Sequence, residues 1–214
     1  FISSHTALFL NLQETLIMSD NFKYLFSTSS VYNIEKNLKK KMKGFFLMMK
    51  AAYAAFDYLK SNTKGEVIIL CGKGNNGGDG YGLGALLAMA GREVKIYKVE
   101  DPIKIEAKSA LKLCYKLGIK IKKWSKSLKN SDIYVDALLG AGINQSPREP
   151  YKTIIKHLID KKKKGKIIIA LDVPSGVDGT TGVADNPSVI ASTTITFLAM
   201  KTVSYTHLRA HETI

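Results

Sequence analysis

Two aspartates, an asparagine and a serine are the residues of this sequence best suited to chemistry. Asp136 and Asp172 each end an apolar, strand-like run, and Asn76 and Ser175 lie in neighbouring polar stretches. Their carboxylate, amide and hydroxyl oxygens would form an all-oxygen site, which hard monovalent or alkaline-earth cations prefer. A carboxylate at a strand end beside a pocket can also act as a general acid or base. The alternatives are turn-forming aspartates and, for Lys201 after the last apolar run, a solvated lysine.

A glycine-rich stretch follows the first apolar, β-branched run, Val67–Cys71. Five of its nine residues, Gly72–Gly80, are glycine, which predicts positive φ angles or a backbone lying against a ligand. Gly72-Lys73-Gly74-Asn75-Asn76-Gly77 satisfies G-x-G-x-x-G, and Glu100 lies 23 residues after Gly77. A strand, a glycine turn and a helix in this order place N–H groups around a phosphate.

This motif leaves two alternatives open: a tight turn without a ligand, or an NAD-linked oxidoreductase in which Glu100 binds ribose. The additional Gly78-Asp79-Gly80 does not belong to the ordinary dinucleotide motif. It would place a carboxylate at the helix start, where a pyrophosphate normally binds, and like charges repel. We therefore expect the loop to serve a different kind of site.

Alternating strands and helices must position these residues. Strands are predicted at Val67–Cys71, Glu93–Val99, Ile119–Trp124, Ile133–Leu139, Lys166–Leu171 and Thr193–Leu198. Helices are predicted from Val31, over Phe45–Leu59 (apolar face Phe46, Met49, Tyr53, Phe56 and Leu59), and at Tyr81–Ala90, Ile103–Leu117 and Tyr151–Lys164. This pattern predicts an α/β fold with a mostly parallel sheet, covered on both faces. Three polar loops, 72–80, 136–146 and 172–176, would then meet beyond the carboxyl ends of the strands.

Composition limits the function classes. The 214 residues carry a formal charge of +14, but the lysines are spread along the chain, which does not favour nucleic-acid binding. No apolar run has the length of a membrane helix. The two cysteines and four histidines have no metal-ligand spacing, and free thiols suggest a reducing, cytoplasmic compartment. We expect residues 1–27 to be an uncertain extension, 28–202 the domain, and 203–214 a non-native read-through tail.

Three ordered motifs resemble the NAD(P)H-hydrate epimerases, the YjeF N-terminal domain family. They are Gly72–Gly80, Asp136–Gly142 and Leu171–Gly182, and weaker similarity extends the match to roughly Val31–Lys201. The resemblance implies a three-layer α/β/α Rossmann-like fold. The family continues past Lys201 to a further helix and strand, so the C-terminal end of the fold is expected to be truncated.

The resemblance also implies an isomerase activity, epimerisation of the R and S hydrates of NADH and NADPH (NADHX and NADPHX) in metabolite repair. It implies that Asp172, with Lys201 as a second candidate, performs acid–base chemistry, and that potassium is the cofactor. Further implied partners are a second copy in a homodimer and an S-specific dehydratase. A non-catalytic nucleotide- or protein-binding module of the same family remains an alternative. The resemblance implies binding of the hydrated dinucleotide by Asn75, Asn76, Gly77, Gly78, Asp79, Gly140, Ala141, Gly142, Ile143, Asn144, Gln145, Ser146 and Asp172, and of potassium by Asn76, Asp136 and Ser175.

Overall fold

Six parallel strands form one sheet at the centre of the fold. A computed structural model of the protein describes residues 44–142, 146–179, 181–184 and 187–197. The strand order across the sheet is β3-β2-β1-β4-β5-β6, and every pairing is parallel. The strands are β1 (Val67–Cys71), β2 (Val94–Lys98), β3 (Ile121–Lys123), β4 (Ile133–Ala137), β5 (Ile167–Leu171) and β6 (Thr193–Ile195).

The strand order creates a switch point between β1 and β4. Strands β1 to β3 follow one another towards one edge of the sheet, and β4 to β6 follow one another towards the other edge. In register, Cys71 at the end of β1 pairs with Ala137 at the end of β4. The loops that leave these two strands at their carboxyl ends therefore diverge, and this divergence forms the crevice in which open α/β sheets bind ligands.

Helices cover both faces of the sheet, as the sequence predicts. The described helices are α1 (Gly44–Asn62), α2 (Asn75–Met89), α3 (Ile105–Lys116) and α4 (Tyr151–Lys163). Alternate residues of β1 serve the two faces, because successive side chains of a strand point to opposite sides. Ile69 packs in the cluster that includes α1, α2 and α3, whereas Ile68 and Leu70 pack in the cluster that includes α4. The three-layer α/β/α arrangement is thus confirmed.

The buried face of α1 agrees only in part with the predicted one. Leu59 is fully buried as predicted, but Phe46 and Tyr53 are 54% and 56% exposed. The small residue Ala52 is fully buried instead. The reason is the neighbouring helix, since a Cβ added to Gly82 of α2 would lie 2.8 Å from the Cβ of Ala52. Two helices that approach this closely need alanine and glycine at the contact rather than aromatic side chains.

The glycines of α2 serve packing, and the prediction of positive φ angles is wrong for them. The described glycines with a positive φ all lie outside α2. A Cβ on Gly77 would lie 1.9 Å from the carbonyl oxygen of Gly72, and one on Gly80 would lie 2.6 Å from the Cβ of Ala137. On Gly84 it would lie 2.5 Å from Ile96. Glycine therefore allows α2 to lie directly on β1, β2 and β4.

The predicted and observed element boundaries agree to within three residues, except at the start of α2. This helix begins at Asn75, six residues before the predicted start at Tyr81, so the loop after β1 contains only Gly72–Gly74. Cys71 and Cys114 are buried free thiols, as expected for core residues. Within the described ranges, no helix is long and apolar enough to cross a membrane. The predicted helix from Val31 and the tail 203–214 lie outside those ranges.

Candidate functional site

Asp136 and Ser175 form the buried centre of the candidate site. Asp136 belongs to β4 and is fully buried, and Ser175 follows β5 and is 1% exposed. The Ser175 N–H donates to Oδ2 of Asp136 at 2.8 Å, and its hydroxyl donates to Oδ1 at 2.6 Å. The N–H of Leu138 adds a third donor, 3.2 Å from Oδ1. Because β4 and β5 are adjacent parallel strands, this pairing joins the two loops at their carboxyl ends.

Asn76 completes an oxygen cluster from the other side of the switch point. It lies in the first turn of α2 and is 6% exposed. Its Nδ2 donates to the carbonyl oxygen of Leu139 at 2.9 Å, and the N–H of Leu139 donates to the hydroxyl oxygen of Ser175 at 3.0 Å. The Oδ1 atom of Asn76 is buried and has no hydrogen-bond partner among the residues that the structure describes. A buried carbonyl oxygen without a partner is costly unless a ligand or water satisfies it.

Burial raises the pKa of Asp136 to about 6, and the hydrogen bonds from Ser175 and Leu138 oppose that rise. An ionised carboxylate in this position benefits from a nearby positive charge. The oxygen atoms of Asn76, Asp136 and Ser175 are the hard donors that an alkali cation prefers. The residues present therefore fit a potassium ion.

Asp172 has an unusual backbone conformation. It follows β5 with a φ of 66°, the one positive φ at a non-glycine residue in the described part of the chain. Its N–H donates to the carbonyl oxygen of Ile195 at 2.8 Å, and its own carbonyl oxygen accepts the hydroxyl of Thr196 at 3.0 Å. Its Oδ2 accepts the N–H of Ala141 at 3.2 Å. Left-handed backbone at a non-glycine residue persists only where its surroundings hold it, and such residues cluster at functional sites.

Gly140 lies between Asn76 and Asp172 in the crevice. A Cβ at this position would lie 3.3 Å from the Cβ of Asn76 and 3.4 Å from Oδ2 of Asp172. The loop after β4 is thus in contact with both residues, one after β1 and one after β5. Its outer side is covered by Gly179, where a Cβ would lie 2.2 Å from the carbonyl oxygen of Ala141. These contacts bring the three predicted loops together.

The start of α2 points its first N–H groups into this crevice. The N–H of Gly78 donates to the carbonyl oxygen of Gly74 at 3.2 Å, and no side chain in the described part of the protein caps the start of the helix. The first-turn N–H groups of an α-helix lack intrahelical acceptors and attract anions. Asp79 is the fifth residue of α2, and no acidic residue lies in the first turn. The predicted carboxylate at the helix start is therefore wrong, because the helix begins earlier than expected.

The structure describes most of the predicted site residues. Asn76, Asp136 and Ser175 come together as predicted, Asp172 and Gly140 border them, and Gly142 and Ser146 are exposed. Ile143, Asn144, Gln145 and Lys201 lie outside the described residues. Thr196, which holds the backbone of Asp172, was not predicted; its position within the last predicted strand, Thr193–Leu198, was the available signal.

Comparison with known proteins agrees with this arrangement. The family model described as "YjeF-related protein N-terminus" matches residues 44–203. The chain belongs to this YjeF-related family. A solved crystal structure of the yeast protein ynu0 has the same fold, with a TM-score of 0.77, 21% identity, and coverage of 86% of this chain and 84% of the yeast chain.

Several curated relatives in the family carry functional names. The chain is 36% identical over 168 residues to "NAD(P)H-hydrate epimerase" of Rhodopirellula baltica, covering 75% of this chain and 68% of the relative. It is 31% identical to the protein of the same name from Limosilactobacillus fermentum, covering 73% and 76%. The "Bifunctional NAD(P)H-hydrate repair enzyme Nnr" of Escherichia coli is 37% identical, with 72% of this chain but only 30% of the relative covered. The chain thus spans about a third of that bifunctional protein.

Proposed function

We propose that this chain is an NAD(P)H-hydrate epimerase, an isomerase that interconverts the R and S hydrates of NADH and NADPH. One observation carries the proposal: Asp172, with its left-handed backbone, lies beside Gly140, which is also in contact with Asn76 of the buried oxygen cluster. The relatives named NAD(P)H-hydrate epimerase, of which the chain covers 68% and 76%, support the same activity.

Binding of the substrate follows from the polarity of the site. The first-turn N–H groups of α2 form an anion site suited to the pyrophosphate. The predicted substrate-binding residues Asn75 to Asp79 form the start of α2, and Gly140, Ala141, Gly142 and Ser146 follow β4. We place the hydrated nicotinamide on the β5 side, at Asp172, and the adenosine half on the other side of the switch point.

In the proposed mechanism, Asp172 exchanges one proton with the hydroxyl group on the ring. Protonated Asp172 donates its proton to the hydroxyl group, and the carbon–oxygen bond breaks. Water departs, and the ring that remains is a cation stabilised by its nitrogen. Water then adds to the opposite face and releases a proton to solvent, and Asp172 takes up a proton from solvent, so atoms and charge balance over the cycle. The Ala141 N–H, 3.2 Å from Oδ2, orients this carboxylate. Lys201 stays a second candidate for acid–base chemistry.

Potassium is the proposed cofactor, held by Asn76, Asp136 and Ser175. When bound, the ion supplies a fixed positive charge beside the substrate anion. The unpartnered Oδ1 of Asn76 and the fully buried carboxylate of Asp136 support this assignment. Asp136 and Ser175 hold each other in place by two hydrogen bonds, at 2.6 and 2.8 Å, and so keep the two loops at a fixed distance.

We further propose that the protein acts in the cytoplasm as a homodimer, together with an S-specific dehydratase. The two buried free thiols suit a reducing compartment. The outward-facing Phe46 and Tyr53 of α1 offer apolar surface for a second copy. The bifunctional repair enzymes among the relatives support the functional link to a dehydratase. Size-exclusion chromatography with light scattering tests the dimer.

The decisive experiment uses racemic NADPH hydrate with a separate S-specific dehydratase. With the protein added, we expect complete consumption at a rate well above spontaneous epimerisation. Consumption that stalls near half, apart from the slow spontaneous reaction, would contradict the proposal. The same assay separates the alternatives, since an NAD-linked oxidoreductase would oxidise intact NADH and a binding module would change neither reaction.

A further inference from the structure

An ion pair links the loops after β1 and β2 on the side of the switch point opposite Asp172. Nζ of Lys73 lies 3.1 Å from Oε2 of Glu100, and the two side chains are 45% and 41% exposed. Backbone hydrogen bonds hold the same loops together: the Val99 N–H donates to Cys71 at 2.9 Å and the Ile103 N–H donates to Lys73 at 3.0 Å. Both charges are therefore fixed at the carboxyl edge of the sheet and accessible to a ligand.

The glycine turn that contains Lys73 has the geometry of a dinucleotide-binding loop. A Cβ on Gly72 would lie 1.9 Å from the carbonyl oxygen of Leu138, and a Cβ on Gly77 would lie 1.9 Å from the carbonyl oxygen of Gly72. A Cβ on Gly74 would have no described atom within 4 Å. The first glycine thus permits the tight turn, the second leaves the backbone open to a pyrophosphate, and the third permits close packing of the helix. These are the three roles that glycines have in dinucleotide-binding folds.

The direction of the bound nucleotide follows from the strand order. With the pyrophosphate at the start of α2 and the nicotinamide ring beyond β5, the adenosine half must extend towards β2. Glu100 follows β2 by two residues, which is the position of the acid that accepts the ribose 2′-hydroxyl in such folds. Lys73, in contact with Glu100, adds a cation at the same place, and a lysine ammonium is a good partner for a phosphate.

We propose that the Lys73–Glu100 pair binds the 2′ position of the adenosine ribose and lets one site accept both hydrates. Glu100 accepts the 2′-hydroxyl of NADH hydrate, and Lys73 binds the 2′-phosphate of NADPH hydrate. The buried hydroxyl of Tyr151, the first residue of α4, lies beside Glu100. The ligand's identity rests on the proposed function, whereas the role of the pair can be tested separately.

The kinetic test compares kcat/KM for R-to-S conversion of both hydrates. For Lys73→Met, we expect kcat/KM for NADPH hydrate to fall about tenfold or more, with that for NADH hydrate changed less than about threefold. For Glu100→Ala, we expect the opposite effect: kcat/KM falls more for NADH hydrate than for NADPH hydrate. Lys98→Met is the matched control, because it removes an equal charge from a nearby pair, with Asp101 at 2.6 Å, and should leave the substrate ratio unchanged.

A binding test needs no activity. Calorimetric titration with 2′,5′-ADP and with 5′-AMP measures the contribution of the 2′-phosphate directly. We expect wild type to bind 2′,5′-ADP, and Lys73→Met to lose about tenfold of that affinity while binding 5′-AMP as before. Equal losses for both nucleotides, or none, would overturn the role of the pair. A wild-type protein that binds both nucleotides but does not accelerate epimerisation would instead overturn the proposed function.

Discussion

Ser175 donates both its backbone N–H and its hydroxyl to the carboxylate of Asp136, at 2.8 and 2.6 Å. The two residues are 39 positions apart in sequence: Asp136 lies in β4, and Ser175 lies in the loop after the adjacent strand β5. This pairing fixes a carboxylate in a fully buried position, and Asn76 is joined to the loop after β4 by its hydrogen bond to the carbonyl oxygen of Leu139. The charge state of Asp136 therefore links stability to pH and to the proposed cation binding.

Stability should depend on pH through Asp136. Burial raises the folded-state pKa from its ordinary value of 3.8 to about 6. Between these values the folded protein binds more protons than the unfolded chain, so its free energy of unfolding falls as pH rises, by up to about 3 kcal/mol. Potassium would stabilise the ionised form and offset this loss. We expect potassium chloride to raise the melting temperature relative to choline chloride near pH 7.5, but not near pH 4.5.

The variant Asp136→Asn serves as the control for that measurement. It keeps the shape of the side chain but removes the titrating group, so both the fall in stability and the potassium effect should largely disappear. An equal potassium effect in this variant would show that the ion acts elsewhere. Circular dichroism melts at matched ionic strength provide the measurement.

Asp172→Asn should abolish the acceleration of R-to-S conversion. Asparagine accepts left-handed backbone at least as readily as aspartate and keeps an oxygen for the Ala141 N–H, so the fold should be preserved. Only the exchangeable carboxyl proton is lost. The coupled dehydratase assay gives the rate, and an unchanged rate would remove Asp172 from the mechanism. Asp172→Ala should additionally destabilise the fold by about 1–2 kcal/mol, because alanine does not tolerate the φ of 66°.

Thr196→Val should lower kcat with little change in KM. The hydroxyl of Thr196, which is 1% exposed, donates to the carbonyl oxygen of Asp172 at 3.0 Å and helps to hold its left-handed backbone. Valine has the same shape but cannot donate. Thr196→Ser keeps the hydroxyl and should restore kcat, although it loses a methyl group from the core. If serine and valine reduce kcat equally, the methyl group matters and the hydrogen bond does not.

Two glycines near the start of α2 should respond differently to alanine. Gly77→Ala would place a Cβ 1.9 Å from the carbonyl oxygen of Gly72, and this rigid backbone contact should cost more than about 2 kcal/mol of unfolding free energy. Gly74→Ala meets no atom within 4 Å and should leave stability nearly unchanged. However, its methyl group would face the pyrophosphate, so KM should rise. Urea denaturation and steady-state kinetics distinguish these two effects.

Local sequence was sufficient for most of the architecture. The β-branched runs at β1, β4 and β5 and the alternation of strands with helices were enough to predict a parallel sheet with covered faces. A continuous apolar run indicates a strand that is buried on both faces. They also placed Asp136 and Asp172 near neighbouring strand ends. Since loops at the carboxyl ends of adjacent parallel strands must meet, an all-oxygen site of Asn76, Asp136, Asp172 and Ser175 was predictable as well. The family resemblance reduced this set to Asn76, Asp136 and Ser175.

The sequence by itself thus determined the layers of the fold and the residue types at the crevice, because both depend on local periodicity and strand polarity. Only the tertiary structure decided which face of α1 is buried, where α2 begins, and why α2 is rich in glycine. These features depend on how closely α2 approaches Ala52, Ala137 and Ile96. The tertiary structure also decided that Thr196 holds Asp172 and that Lys73 holds Glu100, since both contacts join segments more than 20 residues apart.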